Sequence, residues 1–120
     1  MELHRLAFRA MGSPCEIQLY APDARQAEAA AHDARRDIAR IEQRYSRYRD
    51  DSLTSAINRV AAQAGSITLD PETAALLDYA DTCHRESDGL FDITSGVLRR
   101  AWRFDTGELP SPEQIQALLT

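Results

Sequence analysis

The sequence predicts helices packed on a mixed or antiparallel β-sheet, which is an α/β fold of the α+β type. Two stretches near the N-terminus alternate apolar and polar residues, a pattern typical of strands. A longer segment after them repeats apolar residues at helical spacing. The length of 120 residues, the hydrophobic content of 43% and the mean hydropathy of -0.45 fit one globular domain.

The first two elements are predicted to be neighbouring strands, residues 3–10 and 15–20, separated by the break Met11-Gly12-Ser13-Pro14. They lie too close in sequence for a crossover connection, so we expect them to pair antiparallel. A long amphipathic helix should follow Asp23, and its apolar face consists of Ala27, Ala31, Ala34, Ile38, Ile41 and Tyr45. Because most of these side chains are small, the helix should approach the sheet closely.

Local signals predict the remaining elements. Ser52 is a suitable cap for a short helix, with Gly65 ending the alanine-rich run that follows it, and residues 67–69 are predicted to form a strand. Asp70-Pro71-Glu72 is a strong helix start, and that helix should run to about Arg85. Gly89 then offers a positive φ, and residues 91–94 read as extended chain in which Phe91 and Ile93 anchor in the core.

The last predicted helix starts at Ser111-Pro112-Glu113-Gln114, which has capping-box spacing, and the sequence stops soon after three apolar side chains. We therefore expect the chain to be part of a longer fold. A net charge of -5 argues against non-specific nucleic-acid binding, and no apolar run has the length of a membrane span. Cys15 and Cys83 form no metal-binding spacing, and we expect both thiols to be reduced and the chain as written to be cytoplasmic.

Three stretches carry a family resemblance: Met11 to Cys15, Tyr45 to Ser52 leading to Asn58, and Ser87 to Thr94 leading to Leu98 and Trp102. In order and spacing they resemble the ApbE family, the FAD:protein FMN transferases formerly described as thiamine biosynthesis lipoproteins. The resemblance covers nearly the whole chain. It implies that residues 1–120 are the N-terminal part of a flavin transferase domain whose C-terminal part is absent.

The resemblance implies transfer of FMN from FAD to a Ser or Thr hydroxyl of a partner flavoprotein, with AMP leaving and Mg²⁺ assisting. The family's metal ligands and acid/base groups lie in its C-terminal half, so we expect no catalytic or metal-binding residue in this chain. Many relatives are exported or lipid-anchored. Cys15 is not the lipidated cysteine of such relatives, because it follows no apolar stretch.

The resemblance also implies which residues border the FAD: Met11, Gly12, Tyr48, Gly89, Leu90, Phe91 and Asp92. This sequence has Ser13 where the family usually has Thr, which keeps a hydroxyl. It also has Ser95 and Val97 where the family usually has Val and Pro, so the path of the following turn is expected to differ.

The residues themselves leave structural alternatives open. Without the resemblance, Met11 is better interpreted as a core methionine beside a turn glycine. Tyr48 could pair with Tyr45 at the helix end, although Tyr45 fits the core better than Tyr48 does. Asp92 is either a ligand acceptor or a structural acceptor that holds its turn.

The polar residues around Tyr48 have simpler interpretations. Arg47 and Arg49 are expected to interact with the carbonyls and the dipole at the helix end rather than with a diphosphate. Ser52 and Asn58 are interpreted as a cap and a loop-fixing side chain. A second function also stays open for the whole chain, namely a flavin- or nucleotide-binding module without transfer chemistry.

Overall fold

The computed structural model describes residues 1–120. The chain divides into two compact units, residues 1–67 and residues 68–120. Its elements are two strands, four α-helices and a 3₁₀ helix. The predicted α+β class with an antiparallel sheet is confirmed. No helix is both long enough and apolar enough to cross a membrane.

The first unit opens with an antiparallel hairpin of β1 (Glu2–Ala10) and β2 (Ser13–Ala21), as predicted. Ala10 pairs with Ser13, so only Met11 and Gly12 form the turn. Their φ angles are 52° and 70°. Positive φ at both central residues defines a type I′ turn, whose twist matches that of the flanking strands.

Helix α1 (Ala24–Tyr45) packs on the half-buried face of the hairpin. The helix begins next to Asp23, as predicted, and Asp23 caps it by accepting a 2.8 Å hydrogen bond from the Gln26 N–H. Ala27 and Ala31 are each only 1% exposed. Small side chains on the helix therefore allow the close approach to the sheet that the alanine-rich face predicted.

Helix α2 (Leu53–Ala62) completes the first unit, and Ser52 caps it as predicted. The left-handed residue after this helix is Ala64, with φ of 51°, whereas Gly65 donates its N–H to the Val60 carbonyl at 3.0 Å. A Cβ on Gly65 would lie 3.2 Å from Val60 Cγ1, a tight contact, so glycine is favoured there by close approach rather than by a positive φ. The predicted strand at 67–69 is wrong, because these residues pair with no other strand.

The second unit contains α3 (Pro71–Glu86), a 3₁₀ helix (Ile93–Arg100) and α4 (Pro112–Leu119). Asp70 caps α3, and Ser111 with Gln114 forms the complete predicted capping box of α4. The predicted strand at 91–94 is wrong, because the 3₁₀ helix starts at Ile93. Phe91 and Ile93 are 47% and 56% exposed, so they do not anchor in a core as predicted.

Candidate functional site

The hairpin turn presents Met11 to the surface. Its side chain is 67% exposed, which contradicts the core alternative for this methionine. A left-handed backbone costs a non-glycine residue about 1–2 kcal/mol. The Met11 N–H donates to Glu42 Oε1 of α1 at 3.0 Å, which stabilises this unfavourable conformation. The arrangement exposes a thioether on a fixed backbone.

Glu42 connects this turn to the 46–51 loop, the segment of residues 46–51 between α1 and α2. Its side chain accepts from the Met11 N–H, and its own carbonyl accepts from the Ser46 N–H at 3.0 Å. One residue in the last turn of α1 therefore contacts both segments. The structure brings the Met11-Gly12 turn and the start of this loop to the same end of α1, which the sequence did not predict.

The 46–51 loop is fixed by side chains of α2 and of its cap. Four backbone carbonyls at the end of α1 and in the loop each accept a hydrogen bond from one such side chain. The donor and acceptor pairs are Ser52 to Ser46, Thr54 to Tyr45, Ser55 to Arg49, and Arg59 to Asp50. Because these bonds satisfy backbone acceptors, the loop has a defined path without packing its own side chains into a core.

Two of the residues that fix this loop were interpreted from the sequence, with different outcomes. Ser52 is only 2% exposed and accepts from the Ser55 N–H at 3.1 Å, so its interpretation as a cap is confirmed. Asn58 is exposed, and its side chain makes no hydrogen bond to the loop. Arg59, the next residue, has the loop-fixing role that was assigned to Asn58.

Tyr48 and Tyr45 differ in exposure as predicted. Tyr45 is half-buried at the end of α1, whereas Tyr48 is 71% exposed in the loop. The Arg47 guanidinium carbon lies 5.5 Å from the centroid of the Tyr48 ring, a cation–π distance. The loop thus presents an aromatic ring and a cation together on its surface.

Arg49 forms a bidentate pair with Asp51 in the same loop. Arg49 Nε and Nη2 lie 3.1 Å and 3.0 Å from the two carboxylate oxygens. These hydrogen bonds, followed by the charge of Arg49, hold the pKa of Asp51 below its ordinary value. Arg49 is therefore paired with a carboxylate of the loop, and not with the carbonyls of the helix end that it was expected to satisfy.

The third candidate segment is the 87–92 turn, residues 87–92, which follows α3. Asp88 and Gly89 have φ of 52° and 80°, so the positive φ predicted at Gly89 is confirmed. The Gly89 N–H donates to the His84 carbonyl at 2.8 Å, and Ser87 Oγ accepts from the Phe91 N–H at 2.9 Å. Leu90 is 92% exposed at the tip of this turn.

His84 also holds this turn, although the sequence offered no reason to single it out. Its Nδ1 lies 3.1 Å from the Phe91 carbonyl, so Nδ1 carries the proton of this bond. A Cβ on Gly89 would lie 3.4 Å from His84 Cε1, which is ordinary van der Waals contact. The imidazole therefore packs against the glycine while it binds the carbonyl two residues further on.

Asp92 has the structural role that was one of its two alternatives. Its Oδ1 accepts from the Thr94 hydroxyl at 2.7 Å and from the Thr94 N–H at 2.8 Å, which starts the 3₁₀ helix. These bonds, the side-chain one first, lower the pKa of Asp92. Oδ2 accepts no hydrogen bond within the chain. The same carboxylate can therefore hold its turn and accept from a ligand.

The candidate residues thus fall into two groups, each described within its own unit. Met11, Gly12 and Tyr48 lie in the first unit, and Gly89, Leu90, Phe91 and Asp92 are contiguous in the second. No group of three or more His, Cys, Asp or Glu side chains in the chain is arranged to hold a metal ion.

Comparison with known proteins matches this chain to one family over most of its length. The model of the ApbE family matches residues 11–120. A FAD:protein FMN transferase from Chlamydia pneumoniae is 38% identical over 63 residues, which are 52% of this chain and 20% of that protein. The crystal structure of the ApbE protein from Thermotoga maritima aligns with a TM-score of 0.78 at 23% identity. That alignment covers 98% of this chain and 38% of the Thermotoga chain. This chain therefore spans well under half the length of either relative.

Proposed function

Because the chain belongs to the ApbE family, we propose that it forms part of the FAD site of a FAD:protein FMN transferase. The proposed reaction moves FMN from FAD to a Ser or Thr hydroxyl of a partner flavoprotein, with AMP as the leaving group. Family membership carries the proposal, because the matched residues 11–120 include all three motif stretches. The Chlamydia relative, whose name states this activity, supports it.

The exposure of Met11 and Tyr48 supports a flavin contact in the first unit. Methionine and tyrosine side chains are usually largely buried in folded proteins, yet Met11 and Tyr48 are 67% and 71% exposed. A tyrosine ring stacks on a flat aromatic system, and a thioether is polarizable enough to contact one favourably. Both side chains extend from backbone segments that Glu42 ties together.

The 87–92 turn supports a second set of contacts. Gly89 has no side chain, so a ligand can approach the backbone closely at this position. Asp92 Oδ2 is the acceptor that could receive a ribose hydroxyl, since Oδ1 is already occupied by Thr94. We propose that Gly89, Leu90, Phe91 and Asp92 border the FAD in the complete family fold.

The residues of this chain do not fit a magnesium site. Mg²⁺ is usually held by one or two carboxylates together with substrate phosphates and waters. The chain offers no cluster of three or more His, Cys, Asp or Glu side chains for this purpose, and both carboxylate oxygens of Asp51 are occupied by Arg49. We propose that the magnesium ligands and catalytic residues lie in the part of the family fold that this chain does not span.

We expect Tyr48→Ala to weaken FAD binding by roughly 1 kcal/mol, about fivefold in Kd, in a protein that contains this segment within the complete fold. The reason is the loss of ring stacking on the isoalloxazine. Titration of FAD fluorescence measures the effect. Tyr20→Ala is the matched control, because Tyr20 on β2 is 68% exposed, close to the 71% of Tyr48. Equal Kd values for the two variants would remove Tyr48 from the site.

We expect residues 1–120 alone to transfer no FMN. The purified chain would be incubated with FAD, Mg²⁺ and an acceptor flavoprotein that carries the target Thr, and the acceptor would be weighed by mass spectrometry. A complete family transferase is the positive control. Covalent FMN at a comparable rate would show that the catalytic groups lie within this chain. A complete-fold protein that binds FAD but modifies no acceptor would instead indicate the non-catalytic flavin-binding module.

A further inference from the structure

The imidazole of His84 has one ring nitrogen that the fold does not use. Its Nδ1 donates to the Phe91 carbonyl at 3.1 Å, so in the neutral ring Nε2 carries a lone pair instead of a proton. Nε2 makes no hydrogen bond within the chain, and the side chain is exposed. A hydrogen-bond acceptor on a ring held by Nδ1 is therefore open to a ligand at the end of α3.

Nε2 lies beside the backbone of the 87–92 turn. A Cβ on Gly89 would lie 3.7 Å from His84 Nε2 and 3.4 Å from Cε1, so the ring edge borders the side of the glycine where a side chain would stand. A ligand can approach the backbone closely there, because glycine has no side chain. Such a ligand would meet Nε2 together with the glycine.

Asp92 provides a second unused acceptor in the same turn. Its Oδ1 accepts twice from Thr94, whereas Oδ2 accepts no hydrogen bond within the chain. The bonds from Thr94 are the main cause of the lowered pKa of Asp92, and the charge of a protonated His84 lowers it further. The imidazole and the carboxylate are therefore close enough to interact electrostatically. Two acceptors in one turn suit a ligand with two neighbouring donors.

The charges around His84 favour a hydroxyl group over a phosphate. Three carboxylates lie within seven residues at the end of α3 and in the turn, those of Glu86, Asp88 and Asp92. Arg85, the basic residue next to His84, already pairs with Asp81 at 3.3 Å. Carboxylates repel a phosphate, whereas a hydroxyl can donate to a carboxylate or to a neutral imidazole. Ribose presents two hydroxyl groups on adjacent carbons.

We propose that His84 is a further contact of the FAD site, whose Nε2 accepts a hydrogen bond from a ribose hydroxyl in the AMP half of FAD. Asp92 Oδ2 accepts from the neighbouring hydroxyl of the same ribose. The imidazole thus fixes the turn through Nδ1 and contacts the ligand through Nε2. The inference rests on the proposed function, because it takes FAD as the ligand of this turn.

The test measures ribose recognition in a protein that contains this segment within the complete fold. Two ligands would be titrated by fluorescence, FAD and an analogue whose adenosine ribose lacks both hydroxyl groups. We expect the analogue to bind roughly tenfold more weakly, because it leaves Nε2 and Oδ2 without donors. The flavin and the diphosphate are the same in both ligands, so the ratio of the two Kd values reports the ribose hydroxyls alone.

His84→Asn separates the two roles of the imidazole. An asparagine amide can donate to the Phe91 carbonyl from about the position of Nδ1, but it has no group at the position of Nε2. We expect the Kd of FAD to rise about fivefold and that of the analogue to stay unchanged. His32→Asn is the matched control, since His32 is an exposed histidine on α1. Equal weakening of both ligands by His84→Asn, or weakening of neither, would overturn the proposal.

The tautomer of His84 can be observed without any substitution. Long-range ¹H–¹⁵N NMR spectra at about pH 8, where ordinary histidines are neutral, distinguish protonated from bare ring nitrogens. We expect the proton on Nδ1 in the free protein, and an Nε2 signal that shifts with FAD but not with the analogue. A proton on Nε2 would overturn this inference and leave the proposed function intact. An unsubstituted protein that binds neither ligand would overturn the proposed function, and this inference with it.

Discussion

The 46–51 loop is held by side chains of the helix that follows it, whereas the 87–92 turn is held mainly by groups of the helix that precedes it. In the loop, the buried Ser52 hydroxyl belongs both to the helix cap and to the loop contact. In the turn, left-handed residues reverse the chain, and exposed side chains such as His84 add hydrogen bonds. Loss of one side chain should therefore damage the loop more than the turn.

The largest effect should come from Ser52→Ala. This change removes the cap of α2 and the bond to the Ser46 carbonyl, at a site that is 2% exposed. We expect the free energy of unfolding to fall by roughly 2 kcal/mol, measured by urea denaturation followed by circular dichroism. Ser111→Ala is the control, because Ser111 caps an exposed helix start and should cost only about 1 kcal/mol. Equal losses in the two variants would mean that the loop contact contributes nothing.

A smaller effect is expected for Gly89→Ala in the turn. The cost arises from the φ of 80°, since a Cβ would meet His84 only at an ordinary contact distance of 3.4 Å. We expect the free energy of unfolding to fall by about 1 kcal/mol. Gly12→Ala isolates the backbone cost, because its φ is 70° and a Cβ there meets nothing within 4 Å. A much larger loss at Gly89 than at Gly12 would show that packing against His84, rather than backbone conformation, determines the cost.

The smallest effect on stability is expected from protonation of two carboxyl groups, Asp51 in the loop and Asp92 in the turn. Both pKa values are lowered, Asp51 by its bonds to Arg49 and Asp92 by its bonds to Thr94. Each carboxylate therefore stabilises the folded state at pH values above its ordinary pKa. That stabilisation is lost as the pH falls through the lowered pKa of the folded state.

The two carboxyl groups should respond differently to salt and substitution. High salt should raise the pKa of Asp51 more than that of Asp92, because an exposed ion pair is screened whereas hydrogen bonds from a neutral threonine are not. Arg49→Gln should raise the pKa of Asp51, and Thr94→Val that of Asp92. Carboxyl ¹³C titration by NMR measures both. An Asp92 pKa as sensitive to salt as that of Asp51 would contradict this account.

Elements with strong local signals could be predicted from the sequence. Ser52, Asp70 and Ser111 each cap the helix that their spacing indicated, because a cap needs only residues within one turn of chain. The hairpin was predictable because its strands are adjacent and alternate in polarity. The family resemblance also came from short stretches, and the family match confirmed it.

The strands predicted at 67–69 and 91–94 failed for a physical reason. A strand is stabilised by pairing with another strand, and composition alone does not supply a partner. Residues 91–94 also contained a competing local signal, since Asp92 caps a turn through Thr94 two residues later. In that segment a satisfied local cap replaced the predicted extended chain.

The sequence by itself determined where the helices start, where the hairpin turns and which family the chain resembles, because each depends on short stretches of neighbouring residues. Only the tertiary structure decided which groups support the candidate site. The Met11 N–H meets Glu42 across 31 residues, and Arg59 rather than Asn58 binds the carbonyl of Asp50. Such contacts depend on how α1 packs on the hairpin and α2 packs on α1. Packing brings residues together that no local sequence pattern pairs, so the sequence does not predict which of them meet.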